Sequence, residues 1–237
     1  IAAHELRTPI QPILGLTQIL RSRIKDSQQQ QLLDTIFRNA QRLQRLTQDI
    51  LDVSRIESKS LDLNKELFSL NEMISNVIAD YNRVIKEHQG TINLKLEFTD
   101  PKEDIFIEAD KSRINQVISN LLSNSIKFTK EGTITTAVVP NNSEIIVSVN
   151  DTGSGIDSEV LPKLFTKFAT TTTTKYKTGT GLGLFISKNI IEAHGGRVWG
   201  KNNYPAGKGA TFGFSLPFQN QDLSIGVSSE IQRDWWY

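Results

Sequence analysis

Hydrophobic residues in the first 58 positions recur at helical spacing. Leu6, Ile10, Ile13, Leu14, Ile19, Leu20 and Ile24 mark one helix over residues 1–24. Asp26, Ser27 and a glutamine run interrupt the pattern. A second stripe then runs through Leu32, Leu33, Ile36, Ala40, Leu43, Leu46, Ile50, Leu51, Val53 and Ile56. It predicts a helix over about 28–58, well beyond the ~10–14 residues usual in globular proteins. Two long helices joined by a short turn form an antiparallel hairpin. A lone hairpin leaves its apolar stripes in water, whereas two copies bury them as a four-helix bundle. A homodimer through residues 1–62 is the expectation.

From about residue 66 the texture changes. Residues 71–87 read as a helix, Thr91–Phe98 as a strand and Ile105–Glu108 as a short strand. Residues 110–128 form a helix with Ile114, Val117, Ile118, Leu121 and Leu122 on one face. Thr133–Val139 and Glu144–Asn150 read as a hairpin around Pro140-Asn141-Asn142, and 158–165 as a short helix. Leu182–His194 is a helix stopped by Gly195-Gly196, and strands follow at Arg197–Lys201 and Thr211–Pro217. Strands interleaved with helices predict an α+β sandwich over 66–218, its helices on one face of a mixed sheet. Residues 219–237 are a polar tail ending in Trp235-Trp236-Tyr237.

Composition narrows the function. The 237 residues are 38% hydrophobic and 22% charged, a globular balance. The formal charge of +1 gives no footprint for nucleic acid or an anionic membrane. The absence of cysteine excludes disulfide and thiol chemistry, and His4, His88 and His194 are too few for a histidine-rich metal site. No apolar run reaches the ~20 residues of a membrane helix, so no membrane contact is expected in this piece and a cytoplasmic location is. The chain opens on Ile1 already in helical pattern, which reads as a fragment lacking its upstream part.

Four groups of residues carry candidate chemistry. The first is His4-Glu5-Leu6-Arg7-Thr8-Pro9. An isolated helix histidine is ordinarily a surface residue, but Glu5 can fix its tautomer or take its proton, and a neutral imidazole is a nucleophile. Thr8 shares its helical face, while Pro9 and Pro12 remove backbone donors that a purely structural helix would keep. The zinc pattern HExxH fails because Thr8 stands at the second histidine position.

The second group is a polar stripe on the 110–128 helix: Gln116, Asn120, Asn124 and Lys127. A solvated face is the ordinary explanation, yet asparagine is a poor helix former. An amide oxygen suits Mg²⁺, amide and ammonium N–H groups suit phosphate, and Phe128 lies just beyond, placed to cover an adenine ring. The third is Asp151-Thr152-Gly153-Ser154-Gly155 after a strand, a carboxylate suited to an exocyclic amine beside glycines that permit close approach. The fourth is Gly179-Thr180-Gly181-Leu182-Gly183 opening a helix, with N–H groups free for anions. It fits neither the P-loop nor the Rossmann pattern. Between the last two lies a loop with Thr170–Thr174, Lys167, Lys175 and Lys177, read as a lid over phosphates. Gly209-Ala210-Thr211 adds a further approach of small residues.

In this order the residues resemble a sensor histidine kinase of a two-component system: an H box at His4–Pro9, an N box at Asn115–Lys127, G1 at Asp151–Gly155, an F region at Leu164–Phe168 and G2 at Gly179–Leu184. The resemblance covers residues 1–218. It implies a Bergerat-type ATP-binding fold of the gyrase and heat-shock chaperone superfamily, with ATP and Mg²⁺ as cofactors. It implies His4 as phosphoacceptor, Glu5 as the residue aiding its deprotonation, and Thr8 as the residue linked to dephosphorylating a response regulator receiver domain. Asn120 matches the Mg²⁺ ligand, Asn124 and Lys127 the phosphate contacts, and Asp151 the adenine anchor. Hydrolysing relatives carry a glutamate where Gln116 stands, and an amide cannot act as a base. The F region reads LFTKF, with Lys167 where many members have proline. A plain ATPase and a non-catalytic dimerisation scaffold are the rival readings.

Overall fold

The computed structural model describes residues 8–87, 93–99, 101, 103–141, 143–170, 180–203 and 208–218. The chain divides into two compact units, Ile1–Leu61 and Asp62–Tyr237.

The first unit is a helical hairpin of α1 (Ile10–Arg23) and α2 (Ser27–Glu57). Pro9 occupies the N-cap of α1 and Pro12 its first turn, where backbone donors have no partner within the helix. The prolines thus cost the described helix no internal bond; Thr8 lies in the turn before α1, and His4, with which it is expected to share a helical face, lies outside the described residues. The break between helices is tighter than the sequence pattern implies. Asp26 caps α2 by accepting from Gln29 N at 2.8 Å, and the glutamine run forms the first turn instead of interrupting it. Gln30 Nε2 donates to Ile24 O across the turn at 2.8 Å. Arg21 pairs with Asp34 at 2.7 Å.

α2 carries two seams. Leu33, Ala40 and Thr47 are buried, each seven residues from the next. Ile36, Leu43 and Ile50 repeat at the same interval one helical step away and are exposed, as are Leu32, Ile13, Leu16, Ile19 and Leu20. A heptad repeat keeps one face in register along a long helix. The second seam is therefore a continuous apolar stripe with no cover among the described residues.

The second unit is the expected α+β sandwich. Its elements run β1 (Glu66–Ser69), α3 (Leu70–Glu87), β2 (Asn93–Thr99), β3 (Phe106–Ala109), α4 (Lys111–Phe128), β4 (Glu131–Pro140), β5 (Glu144–Asp151), α5 (Gly183–Ala193), β6 (Arg197–Asn202) and β7 (Ala210–Pro217). The main sheet has the order β2-β4-β5-β7-β6, with β2 and β4 parallel and every other pair antiparallel. Alternation decides the faces. Ile134 and Val138, Ile145, Val147 and Val149, and Phe212, Phe214 and Leu216 are buried beneath the helices. They meet Ile114, Val117, Ile118, Leu121 and Leu122 of α4 and Ile186, Ile190 and Ile191 of α5.

Two expectations need correction. Residues 158–165 are not an α-helix: Asp157 O accepts from Val160 N and Leu161 N, and only a 3₁₀ turn, Leu161–Lys163, follows. So short a segment closes too few i→i−4 bonds to offset nucleation. Strand β1 was not foreseen. It pairs antiparallel with β3, and its four residues bury only Phe68, which leaves no alternation to read.

Candidate functional site

The site lies where β5, the end of α4 and the start of α5 meet. Asp110 caps α4, accepting from Arg113 N at 3.0 Å and Ser112 Oγ at 2.8 Å, and its other oxygen accepts from Asn64 N at 3.0 Å. Burial pushes the Asp110 carboxyl up, but these hydrogen bonds outweigh it and hold the group below its ordinary value. Its own N–H donates to His194 Nε2 at 3.0 Å. His194, at the end of α5, donates from Nδ1 to Ile190 O at 2.7 Å, so the imidazole is neutral in this pairing. Burial lowers its pKa, and nearby Lys65 adds to the effect. The two helices that open onto the site are thus tied at their far ends.

At the near ends, Asn120 Nδ2 donates to Gly183 O at 3.2 Å and to Ser187 Oγ at 3.3 Å. This joins the polar stripe of α4 to the glycine-started helix. It also fixes which end of the amide is an oxygen, and Oδ1 accepts no hydrogen bond among the described residues. A Cβ on Gly183 would stand 3.5 Å from that oxygen. Asn124 is half-buried one turn further on. Lys127 Nζ sits 4.6 Å from the centroid of the Phe128 ring, and burial lowers its pKa. An anion beside Lys127 would oppose that lowering. Gln116 accepts from Arg113 Nη1 at 3.0 Å.

Asp151 ends β5 with its side chain only 2% exposed. One oxygen accepts from Gly153 N at 2.9 Å and Ala210 N at 3.2 Å, and the other from Ser125 Oγ at 3.3 Å. A buried carboxylate held by backbone N–H groups stays an acceptor of fixed direction. Gly153 is required here, because a Cβ would lie 2.5 Å from Phe128 O and 3.0 Å from Asp151 Oδ1. Gly155 has φ +77°, and Gly181, at φ +70°, has Phe168 folded across it, with Phe168 N donating to Gly181 O at 3.0 Å. Thr180 Oγ1 accepts from Leu182 N at 3.1 Å, and Leu182 is buried.

The structure therefore brings Asn120 to Gly183, and Asp151 to Gly153, with Ser125 of α4 bonded to Asp151 and Asn120 five residues earlier on the same helix. It does not bring the Thr211 side chain to them. Thr211 Oγ1 donates to Asn203 Oδ1 at 2.7 Å and accepts from Asn150 Nδ2 at 3.1 Å on the other face of the sheet, while its neighbour Ala210 reaches Asp151. Thr8 lies exposed in the turn before α1. His4, Glu5, Lys175, Lys177 and Gly179 lie outside the described residues, as does the 219–237 tail. Sequence reasoning missed Ser125 and Ser187. The signal was present for Ser125, a polar residue continuing the buried Leu121 row one turn on.

Residues 109–220 match the family described as histidine kinase-, DNA gyrase B-, and HSP90-like ATPase, and residues 1–59 match the His Kinase A (phospho-acceptor) domain. The autoinducer 2 sensor kinase/phosphatase LuxQ of Vibrio parahaemolyticus is 32% identical over 98% of this chain and 27% of its own length. The sensory/regulatory protein RpfC of Xanthomonas campestris is 34% identical over 91% of this chain and 30% of its own length. Among solved structures, the catalytic domain of histidine kinase ThkA is 35% identical, with a TM-score of 0.54 over 65% of this chain and 97% of that one. Full-length ShkA in complex with AMPPNP is 25% identical, with a TM-score of 0.70 over 92% of this chain and 44% of that one. The chain belongs to the sensor histidine kinases, with a His Kinase A hairpin followed by an ATPase-type catalytic unit. It spans about a third or less of the length of LuxQ and RpfC.

Proposed function

We propose that this chain is the kinase core of a two-component sensor, acting in the cytoplasm as a homodimer through residues 1–62. A His4 nitrogen attacks the γ-phosphorus of ATP, the bond to the ADP oxygen breaks, and Glu5 takes the imidazole proton. The phosphoryl group then passes to an aspartate of a receiver domain. In a separate phosphatase reaction Thr8 orients a water toward the phosphoaspartate, whose acyl phosphate bond breaks to release inorganic phosphate and the free carboxylate. A complex of ThkA with the response regulator TrrA, 30% identical over 91% of this chain and 59% of that one with a TM-score of 0.59, supports that choice of partner.

One observation carries the nucleotide half of the reading: the Asp151 carboxylate, buried and held by Gly153 N and Ala210 N, beside a glycine that a Cβ would close. It suits the 6-amino group of adenine. The uncommitted amide oxygen of Asn120 fits Mg²⁺, a hard cation that neutralises phosphate charge when bound. Asn124, Lys127, Thr180 and the N–H groups of Gly181 and Gly183 bind the phosphates, Lys175, Lys177 and Gly179 are further phosphate contacts, and Phe128 covers the base. Gln116, bonded to Arg113, provides no base to activate water.

The test is incubation of the chain with γ-labelled ATP and Mg²⁺. Label that is stable in alkali and lost in acid is a phosphohistidine; steady release of phosphate with no protein label would leave a plain ATPase. Asn120→Ala should remove Mg²⁺-dependent nucleotide binding and labelling together, seen by titration with and without chelator. Unchanged binding would return the α4 stripe to a solvated face.

A further inference from the structure

Two consecutive asparagines, the last residue of β6 and the one that follows it, grip the Asp151 loop from opposite faces of the sheet. Successive side chains on a strand point opposite ways. On the helix side, Asn202 Nδ2 donates to Ile156 O at 2.9 Å and Asn202 Oδ1 accepts from Ile156 N at 2.6 Å. Its amide thereby does for Ile156 what a neighbouring strand's peptide would do, although no strand among the described residues pairs with Ile156. On the other side, Asn203 Nδ2 donates to Asp151 O at 3.0 Å and Lys208 O at 3.1 Å, and its Oδ1 accepts from Thr211 Oγ1. Asn203 N also donates to Gly209 O at 3.0 Å.

The glycines of the loop answer to these asparagines. A Cβ on Gly155 would lie 2.8 Å from Asn202 Oδ1, and one on Gly209 would collide with Asp151 O. Gly155 is thus needed for more than its positive φ: the Asn202 amide occupies the space a side chain would take. Both ends of the 151–156 segment are consequently pinned to the end of β6, Asp151 through its carbonyl and Ile156 through both of its peptide groups.

We propose that Asn202 and Asn203 are positioning residues for base selection, holding the 151–156 loop so that the Asp151 carboxylate separates a 6-amino from a 6-oxo purine. The proposal rests on reading Asp151 as the adenine contact. A site built to accept from an amine rejects an oxygen at the same place only while its carboxylate cannot swing away. These hydrogen bonds of both asparagines go to protein groups of the loop and its neighbours. Their effect is on the direction of the carboxylate.

The experiment titrates the full chain with ATP and with inosine triphosphate, which carries oxygen in place of the 6-amino group. Asn202→Ala should weaken ATP roughly tenfold, the scale of one lost charged hydrogen bond, and inosine triphosphate less than about twofold, so the preference falls. Asn203→Ala should do the same more weakly. Asn202→Ser, too short to span both groups of Ile156, carries the same expectation should the alanine variant not fold. Asp151→Asn is the control. A preference that survives Asp151→Asn overturns the adenine reading itself. A preference lost in Asp151→Asn but intact in Asn202→Ala and Asn202→Ser overturns the clamp alone. Equal weakening of both nucleotides also overturns it, because a merely structural role lowers both together.

Discussion

The hairpin and the sandwich treat their hydrophobic residues in opposite ways. In the sandwich, every central strand turns alternate residues under the helices, and Ile134, Ile145, Ile186, Ile190 and Phe214 have no exposure at all. Among the described residues of the hairpin only Ile10, Leu33 and Ala40 are buried apolar side chains, while the 36-43-50 seam faces outward. The sandwich closes its own core; the hairpin leaves an apolar seam uncovered among the described residues. The difference separates two tasks. A nucleotide site needs walls fixed within one chain, and here α4 and α5 are tied together through Asp110 and His194. A hairpin with an uncovered seam suits the other task in the proposed function, presenting a phosphoacceptor on a surface that a second copy completes.

The strongest break of this comparison is His4→Gln. If the acceptor sits on the hairpin and the nucleotide in the sandwich, the variant loses all phosphohistidine label and keeps the ATP affinity of the wild type. Full labelling would sink His4 as acceptor, and a large loss of ATP affinity would sink the separation of the units.

Leu43→Glu tests the unfinished core. A symmetric bundle would bury Leu43 twice, at about 1.5–3 kcal/mol for each leucine. Each 1.4 kcal/mol is tenfold in affinity, so the dimer dissociation constant should rise by at least ~100-fold. Sedimentation equilibrium reads this directly. ATP binding should not change, because the sandwich does not depend on the seam. A variant as dimeric as the wild type would place the interface elsewhere.

These comparisons also mark what was legible in the chain. The stripe Asn120, Asn124 and Lys127 was readable because a helix repeats every 3.6 residues and polar positions four apart share a face. Asp151 was readable because a strand ended there in a carboxylate and glycines. Asn202 was not, since its partner Ile156 lies 46 positions away and their meeting depends on the register of β6 against β7. The same limit misled the reading of Thr211: the sequence put it among small residues near the site, and the pleat turned its hydroxyl to the other face. Strand β1 was invisible for want of length, and the 158–165 segment looked helical because composition does not report how many bonds a helix can close.

The tie at Asp110 gives the sandwich a pH response. His194 is held neutral with Nε2 accepting from Asp110 N, and burial keeps its pKa below the ordinary 6.5. The unfolded chain takes up the proton first, so stability is full above about pH 6.5 and falls as pH drops toward the folded value. Asp110, held below 3.8, adds stability that is present above that pH and lost further down. Melting temperatures from pH 7.5 to 5 should therefore decline for the wild type and flatten over that range in His194→Gln. An equal slope in both would detach the decline from His194.

The smallest effect contrasts buried hydroxyls in the two units. Thr17 Oγ1 donates to Ile13 O at 2.6 Å and Thr47 Oγ1 to Leu43 O at 2.9 Å, so each finds a carbonyl one turn back in its own helix. Thr136, in the middle of β4, has no exposure, and its hydroxyl has no hydrogen-bond partner among the described residues. A strand commits its carbonyls to its neighbours and offers none to a side chain on the core face. An unsatisfied buried hydroxyl costs about 1–3 kcal/mol, and valine fills nearly the same volume with a methyl group while favouring strand geometry. Thr136→Val should therefore stabilise the sandwich by about 1 kcal/mol, raising its melting temperature by roughly 2–4 °C. Thr47→Val removes a satisfied hydroxyl from a helix that disfavours β-branching as before, and should give no such gain. Calorimetry on the two variants reads the difference. A loss of stability in Thr136→Val would mean that its hydroxyl holds a bound water within the core.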